Sequence, residues 1–344
     1  METSSTSETK SSEGKESVWP DRSLRELLGI TARGFAMGSS DIVPGVSGGT
    51  IAFIFGIYEE LIGSIRTAGQ PEFLRALFKF QIKDLFRIVN WKFLLALGSG
   101  ILLAVFTLSG LLENALENYP VYIWSFFFGL VLASVFVVSK RIKQWNAQLI
   151  VLLAIGTVGS FFLVGLVPVT TPTAWWFLIL VGALASCALI LPGISGAFIL
   201  VLLGKYEFVL GAVNGLRGGD ISNIWPIMFI GIGAVLGLVT LAQILGWLFK
   251  NYHDYTVAIL IGFMLGSLRK IWPWKVDVEW LLDDLGNKIV NSDGHFIVVK
   301  QFNVLPDFSS QTGTIEFAVA FVLALVGVAA ILLINRYAAD LEEA

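Results

Sequence analysis

Six apolar runs, at 93–112, 121–139, 147–167, 224–249, 256–272 and 315–335, are each near the length that a lipid bilayer demands. In hydrocarbon every backbone N–H and C=O must find its partner within the protein, so such runs fold as helices. Two further apolar regions, 30–65 and 175–213, are interrupted midway by Pro, Gly and Ser. The expected fold class is an all-α polytopic membrane protein. Composition agrees: 56% of the 344 residues are hydrophobic and 14% charged, where a soluble domain carries roughly 25% charged residues. A net charge of -3 without a basic run gives nucleic acid nothing to hold. The single cysteine, Cys187, rules out an internal disulfide and lies at no metal-ligand spacing.

Residues 1–20 are rich in Ser, Thr, Glu and Lys and read as a disordered tail, not a signal peptide. The following "DRSLRELLGI" offers Asp21 as the N-cap of an interfacial helix. Positive charge sets the orientation. Arg66, Arg75, Lys79, Lys83, Arg87 and Lys92 fill one loop, and Lys140, Arg141 and Lys143 another, so both face the cytoplasm. The loops 113–120 and 168–173 carry no Lys or Arg and face outside, as does the long insertion 273–314. Both termini are then cytoplasmic, and the protein spans the plasma membrane many times. The count closes if each interrupted region enters and leaves on one side as a re-entrant hairpin with arms of about 14–16 residues, or 21–24 Å. Two full kinked spans per region are the alternative.

The two interruptions are copies. Ile42, Pro44, Gly45, Ser47, Gly48, Ile51, Gly56, Tyr58, Glu59 and Gly63 recur in register as Ile190, Pro192, Gly193, Ser195, Gly196, Ile199, Gly204, Tyr206, Glu207 and Gly211, ten matches in 22 positions. "GSGILLAVFTL" from Gly98 likewise matches "GIGAVLGLVTL" from Gly231, and "YIWSFFFGLVLAS" from Tyr122 matches "YTVAILIGFMLGS" from Tyr255. The chain therefore reads as two membrane repeats, 21–168 and 169–338, in inverted topology.

Non-helical backbone at membrane depth persists only where protein buries it or where it lines a polar cavity. After each Pro-Gly kink (Pro44, Gly45; Pro192, Gly193) come Ser47, Gly48, Gly49 and Thr50, or Ser195 and Gly196, where a second helical arm starts. Unpaired N–H groups and the positive dipole end make such starts anion sites, and phosphate is the natural guest. The plainer reading is a tight turn with Ser as a local cap. Arg33 is a candidate fixed cation, or it snorkels to the interface. Asp41, whose counterpart is Leu189, orients Arg33, carries a coupling proton or caps the turn. Tyr58, Glu59, Tyr206 and Glu207, at the hairpin exits, are interfacial anchors or gate residues. No catalytic residue, metal ligand or cofactor is expected.

The strings "ARGFAMGSSDIVPGVSGGTIAFIFGIYEELI" and "LPGISGAFILVLLGKYEFVL" resemble the PopT family of polyprenyl-phosphate translocases, across most of residues 33–336. The resemblance implies a flippase that returns undecaprenyl phosphate, or a related polyprenyl phosphate, to the inner leaflet, with proton or sodium coupling open. It places Arg33, Asp41, Pro44, Gly45, Ser47, Gly48, Gly49 and Thr50 at the headgroup, with Pro192, Gly193, Ser195 and Gly196 from the second copy. Two rivals remain: a polyprenyl-pyrophosphate phosphatase and a secondary transporter of a small anion. The phosphatase would need an arginine after each Ser, where Gly48 and Gly196 stand.

Overall fold

A computed structural model describes residues 19–43, 46–169, 171–280, 288, 296 and 298–342. The kink residues Pro44 and Gly45 lie outside these, as does most of the expected tail. The fold is helical, with one two-stranded hairpin.

Helix α1 (Leu24–Asp41) opens the first interrupted region. Its N-cap is Ser23 in a capping box with Glu26, not Asp21 as expected; Asp21 instead pairs with Lys92. Nor is the leading helix a separate interfacial piece, since it runs unbroken into the membrane arm. The short returning arm α2 (Gly48–Ile54) then bends 116° into α3 (Tyr58–Arg66). Amphipathic α4 (Pro71–Phe78) and α5 (Ile82–Ile88) follow, exposing Phe78, Phe80 and Phe86 among Arg75, Lys79 and Lys83. Then come α6 (Trp91–Asn118), α7 (Pro120–Ser139) and α8 (Ala147–Leu163).

The second interrupted region repeats the first, with α9 (Trp175–Ile190), α10 (Gly196–Leu202) and, after a bend of 105°, α11 (Tyr206–Arg217). Helix α12 (Ile224–Ser267) is 44 residues long, about 66 Å at 1.5 Å per residue and twice the hydrocarbon thickness. Non-helical Tyr252 breaks it into two arms. Strands β1 (Lys275–Trp280) and β2 (Val298–Asn303) pair antiparallel within the long insertion, and α13 (Gln311–Glu342) closes the chain.

Both returning arms stop after seven residues for the same reason. Gly56 and Gly204 hold φ of 72° and 61°, a left-handed conformation that side chains resist. Around them Ile57 N–H donates to the Ala52 carbonyl and Lys205 N–H to the Leu200 carbonyl. Each arm thus ends in a Schellman motif. The arms span about 10 Å, shorter than an even division of the apolar regions suggests.

Small residues seat the long helices against one another. Gly34 lies on the Leu97 carbonyl and Gly100 on the Thr31 carbonyl, so α1 and α6 run parallel in close contact. The counterparts Gly182 and Gly233 do the same for α9 and the first arm of α12. Gly129 and Gly327 join α7 to α13, and Gly156 and Gly262 join α8 to the second arm of α12. The helices turn large apolar side chains outward, among them Phe106, Phe136, Phe162 and Trp175, as a lipid-facing surface requires.

The two hairpins open at opposite ends of α8. The α2 terminus meets Arg141, just beyond α7 and before α8 begins, through a bond from Arg141 Nη2 to the Ile54 carbonyl. The α10 terminus meets the segment after α8: Val169 N–H donates to the Leu202 carbonyl and Lys205 Nζ to the Thr171 carbonyl. About 25 Å of α8 separates these two places. We call the Arg141 end the near face and the Lys205 end the far face.

Candidate functional site

The hairpin tips meet inside the molecule and bond to each other. Ser47 is the N-cap of α2, and its Oγ accepts the Gly49 N–H at 3.2 Å. The same hydroxyl donates across to the Leu191 carbonyl of the second tip, at 3.1 Å. In the other direction Gly193 N–H donates to Thr50 Oγ1 at 2.9 Å. A side chain at Gly49 would run into the Ile190 carbonyl, so the glycine lets the second hairpin approach. Ser47 and Thr50 are each 1% exposed. Both are buried polar groups with their hydrogen bonds made, as burial requires.

The two tips are chemically unequal. Asp41, at the end of α1, accepts the Gly48 N–H at 2.6 Å, so the first free amide of α2 is held by a carboxylate of the chain itself. A Cβ at Gly48 would strike that carboxylate. In the second hairpin the equivalent of Asp41 is Leu189, which points outward. Ser195 makes no side-chain cap, and the amides of Gly196, Ala197 and Phe198 have no partner among the described residues. The donors expected at both arm starts are thus occupied at one and open at the other.

The remaining candidates lie away from the tips. Arg33 sits half-buried on α1, two turns before Asp41 and about 12 Å along the axis, with no ion pair among the described residues. Tyr58 is buried between Phe53 and Phe249, ring centroids 5.1 and 5.8 Å away, and its hydroxyl has no partner among the described residues. Glu59 is exposed and faces His253 Nε2 at 3.3 Å. Tyr206 is partly exposed, and Glu207 is fully at the surface. Lys205 is buried with its ammonium on the Thr171 carbonyl. Among the described residues no three His, Cys, Asp or Glu side chains gather as a metal site.

One group escaped the sequence reading. On the far face, Arg269 and Lys270 follow α12, Lys275 starts β1 and Lys300 lies on β2, all lining one small cleft. The signal was present in Arg269, Lys270 and Lys275, three cations within seven residues beside a segment expected to face outside, where positive charge is usually scarce.

Apolar helices arranged around two bent helix pairs, with polar tips bonded to one another, define a polytopic membrane protein. Residues 37–289 match the undecaprenyl phosphate translocase-like family, and the chain belongs to it. A polyprenyl-phosphate transporter of Vibrio cholerae is 40% identical over 313 residues, covering 90% of this chain and 97% of that relative. A polyprenyl-phosphate transporter of Staphylococcus aureus is 29% identical over 254 residues, covering 70% of this chain and 84% of that relative. No solved structure matches the chain.

Proposed function

We propose that this protein is a flippase for a polyprenyl phosphate carrier, with undecaprenyl phosphate the favoured substrate, returning it from the outer to the inner leaflet for reuse in envelope glycan synthesis. Substrate class rests on the two transporters to which the chain is similar over most of its length. Mechanism rests on one observation: the tip hydrogen bonds between Ser47 and Leu191 and between Gly193 and Thr50. Ser47 Oγ–H and Gly193 N–H are donors already aimed at the meeting point. A phosphate oxygen can take the place of the Leu191 carbonyl or the Thr50 hydroxyl without leaving a donor bare. The closed tips thus act as a gate whose opening exposes donors for an anion.

The near face carries the basic loops and is assigned to the cytoplasm, with both termini there. The matched hairpins then enter from opposite sides as an inverted repeat, a reading supported by their opening at opposite ends of α8. The isoprenoid chain stays in lipid while the phosphate passes between the tips, which spares the apolar chain from water. The open amides of Gly196, Ala197 and Phe198 receive the phosphate, Ser47 and Thr50 hand it across, and Arg33 holds it on the cytoplasmic side. Asp41 is the titratable group through which a proton or sodium ion would couple.

Hydrolysis is disfavoured by the tip chemistry. Asp41 is the carboxylate bonded at the first tip, and it is committed to the Gly48 amide. The test is direct. Cells lacking the protein should accumulate polyprenyl phosphate accessible from outside, and restoring it should clear that pool. An unchanged pool overturns the assignment, as would release of inorganic phosphate from the pyrophosphate form by purified protein.

A further inference from the structure

The far-face cleft gathers four cations, Arg269, Lys270, Lys275 and Lys300. Arg269 is partly committed, its Nη1 donating to the Phe161 carbonyl at 2.9 Å, and Lys300 pairs with Glu279 at 2.7 Å. Lys270 and Lys275 have no carboxylate within ion-pair distance among the described residues. Lys275 instead lies 3.8 Å above the Trp124 ring, and Lys270 lies 5.2 Å from the Phe198 ring centroid. Burial holds both amines below the usual lysine range, Lys275 at about 7, where Lys270 pushes the same way and Asp277 opposes it. Both side chains are partly exposed, and their like charges repel one another, which an anion placed between them would relieve.

The cleft, about 50 Å³, shares Lys275 and Gln301 with a larger pocket of about 520 Å³ that is lined also by Trp124, Trp274, Asp277 and Glu316. Through Pro273 and Trp274 that pocket meets a groove of about 360 Å³ between α7 and α13, walled by Phe128, Leu132, Phe321 and Leu325. At the other end Lys270 touches Phe198, in the first turn of α10, where the unpaired amides of the second tip lie. Cations, mixed pocket and apolar groove therefore adjoin through shared residues, in a row from the lipid-facing surface towards the hairpin.

We propose that this row is the loading site: a phosphate monoester sits between Lys270 and Lys275, and its isoprenoid chain lies in the groove between α7 and α13. The occupant is set by the chemistry of the two ends, an anion and a long apolar chain joined. The insertion that supplies β1 and β2 thus belongs to substrate capture, holding Lys275 and Lys300 over the cleft. The proposal rests on the transport reading above but concerns a separate place, so the two can fail independently.

The test uses purified full-length protein in nanodiscs, with undecaprenyl phosphate as probe and undecaprenol and inorganic phosphate as competitors. The double variant Lys270→Met with Lys275→Met should bind the probe at least tenfold more weakly while melting no lower than the parent, because it removes two like charges that face one cleft. Lys270→Arg with Lys275→Arg should restore binding. Leu325→Trp, which fills the groove, should weaken the lipid and leave the melting temperature intact. Undecaprenol, which lacks the anion, and millimolar inorganic phosphate, which lacks the chain, should both displace the probe poorly. Parental affinity in the double Met variant overturns the loading site, as does a fall in melting temperature that accounts for lost binding. Efficient displacement by inorganic phosphate alone overturns the lipid assignment of the cleft. Failure of the transport reading would show differently, as an outside carrier pool that does not respond to the protein at all.

Discussion

At Gly49 a single hydrogen atom decides whether the hairpins can meet, since any Cβ there would occupy the place of the Ile190 carbonyl. Gly49→Ala should therefore cost about 1–3 kcal/mol through overpacking and lower the melting temperature in detergent. Gly98→Ala, where nothing lies within 4 Å, should leave it unchanged. Asp41→Ala should strip Gly48 N–H of its acceptor, a loss of about 1–3 kcal/mol, whereas Asp41→Asn keeps a carbonyl in place and should retain most of the stability. If Asp41 also carries the coupling ion, the Asn variant will fold and bind but lose the response of transport to an imposed pH gradient. The sequence marked Asp41 as a costly charge in an apolar segment but left its role open three ways. Its partner lies seven residues on, beyond a kink whose shape spacing alone does not define. For Lys275, held near 7, the charge is lost as pH rises, and anion binding must then take up a proton. With Arg269, Lys270 and Lys300 charged around it and Asp277 and Glu316 opposing, probe affinity should fall from pH 7 to 9, by at most about tenfold per unit.

At the scale of elements, the matched Gly-x-Tyr-Glu strings were legible as a repeat but not as a stop signal. Gly56 and Gly204 end the returning arms because each supplies the left-handed turn of a Schellman motif. An apolar run continues past them, and hydropathy alone therefore drew the arms too long. The runs 224–249 and 256–272 read as separate spans, and non-helical Tyr252 divides α12 into two arms between them. The apolar helices, their order and the two interruptions were visible because lipid imposes length and helicity together. Contacts across the tips were not, since the Ser47–Leu191 and Thr50–Gly193 bonds join residues more than 140 positions apart. Thr50→Val keeps shape and removes the acceptor for Gly193 N–H, so it should lower stability by about 1–3 kcal/mol and slow transport together. Unaltered unfolding in that variant would mean that the crossing bond contributes nothing.

Over the whole molecule, orientation is the expectation most open to a direct check. In a Cys187→Ala background, cysteine at Phe80 on the near face and at Leu305 on the far face, 87% and 81% exposed, should react with impermeant reagents from opposite sides of the membrane. Labelling of both from one side would dismantle the inverted arrangement. The far-face insertion carried little meaning in the sequence, because its acidic residues masked the cations at its start and the strands that hold them form only by closing a long loop.

One feature of the packing bears on how such a chain is assembled. The closing helix of each proposed repeat is seated on the other half of the chain: α8 against the second arm of α12, and α13 against α7. Fragments severed in the segment between α8 and α9 should each be left with an orphaned helix and be degraded when made alone. Produced in the same cell, they should complement one another and restore a working pair, which suits an ancestry in which two separate copies clasped before they were fused.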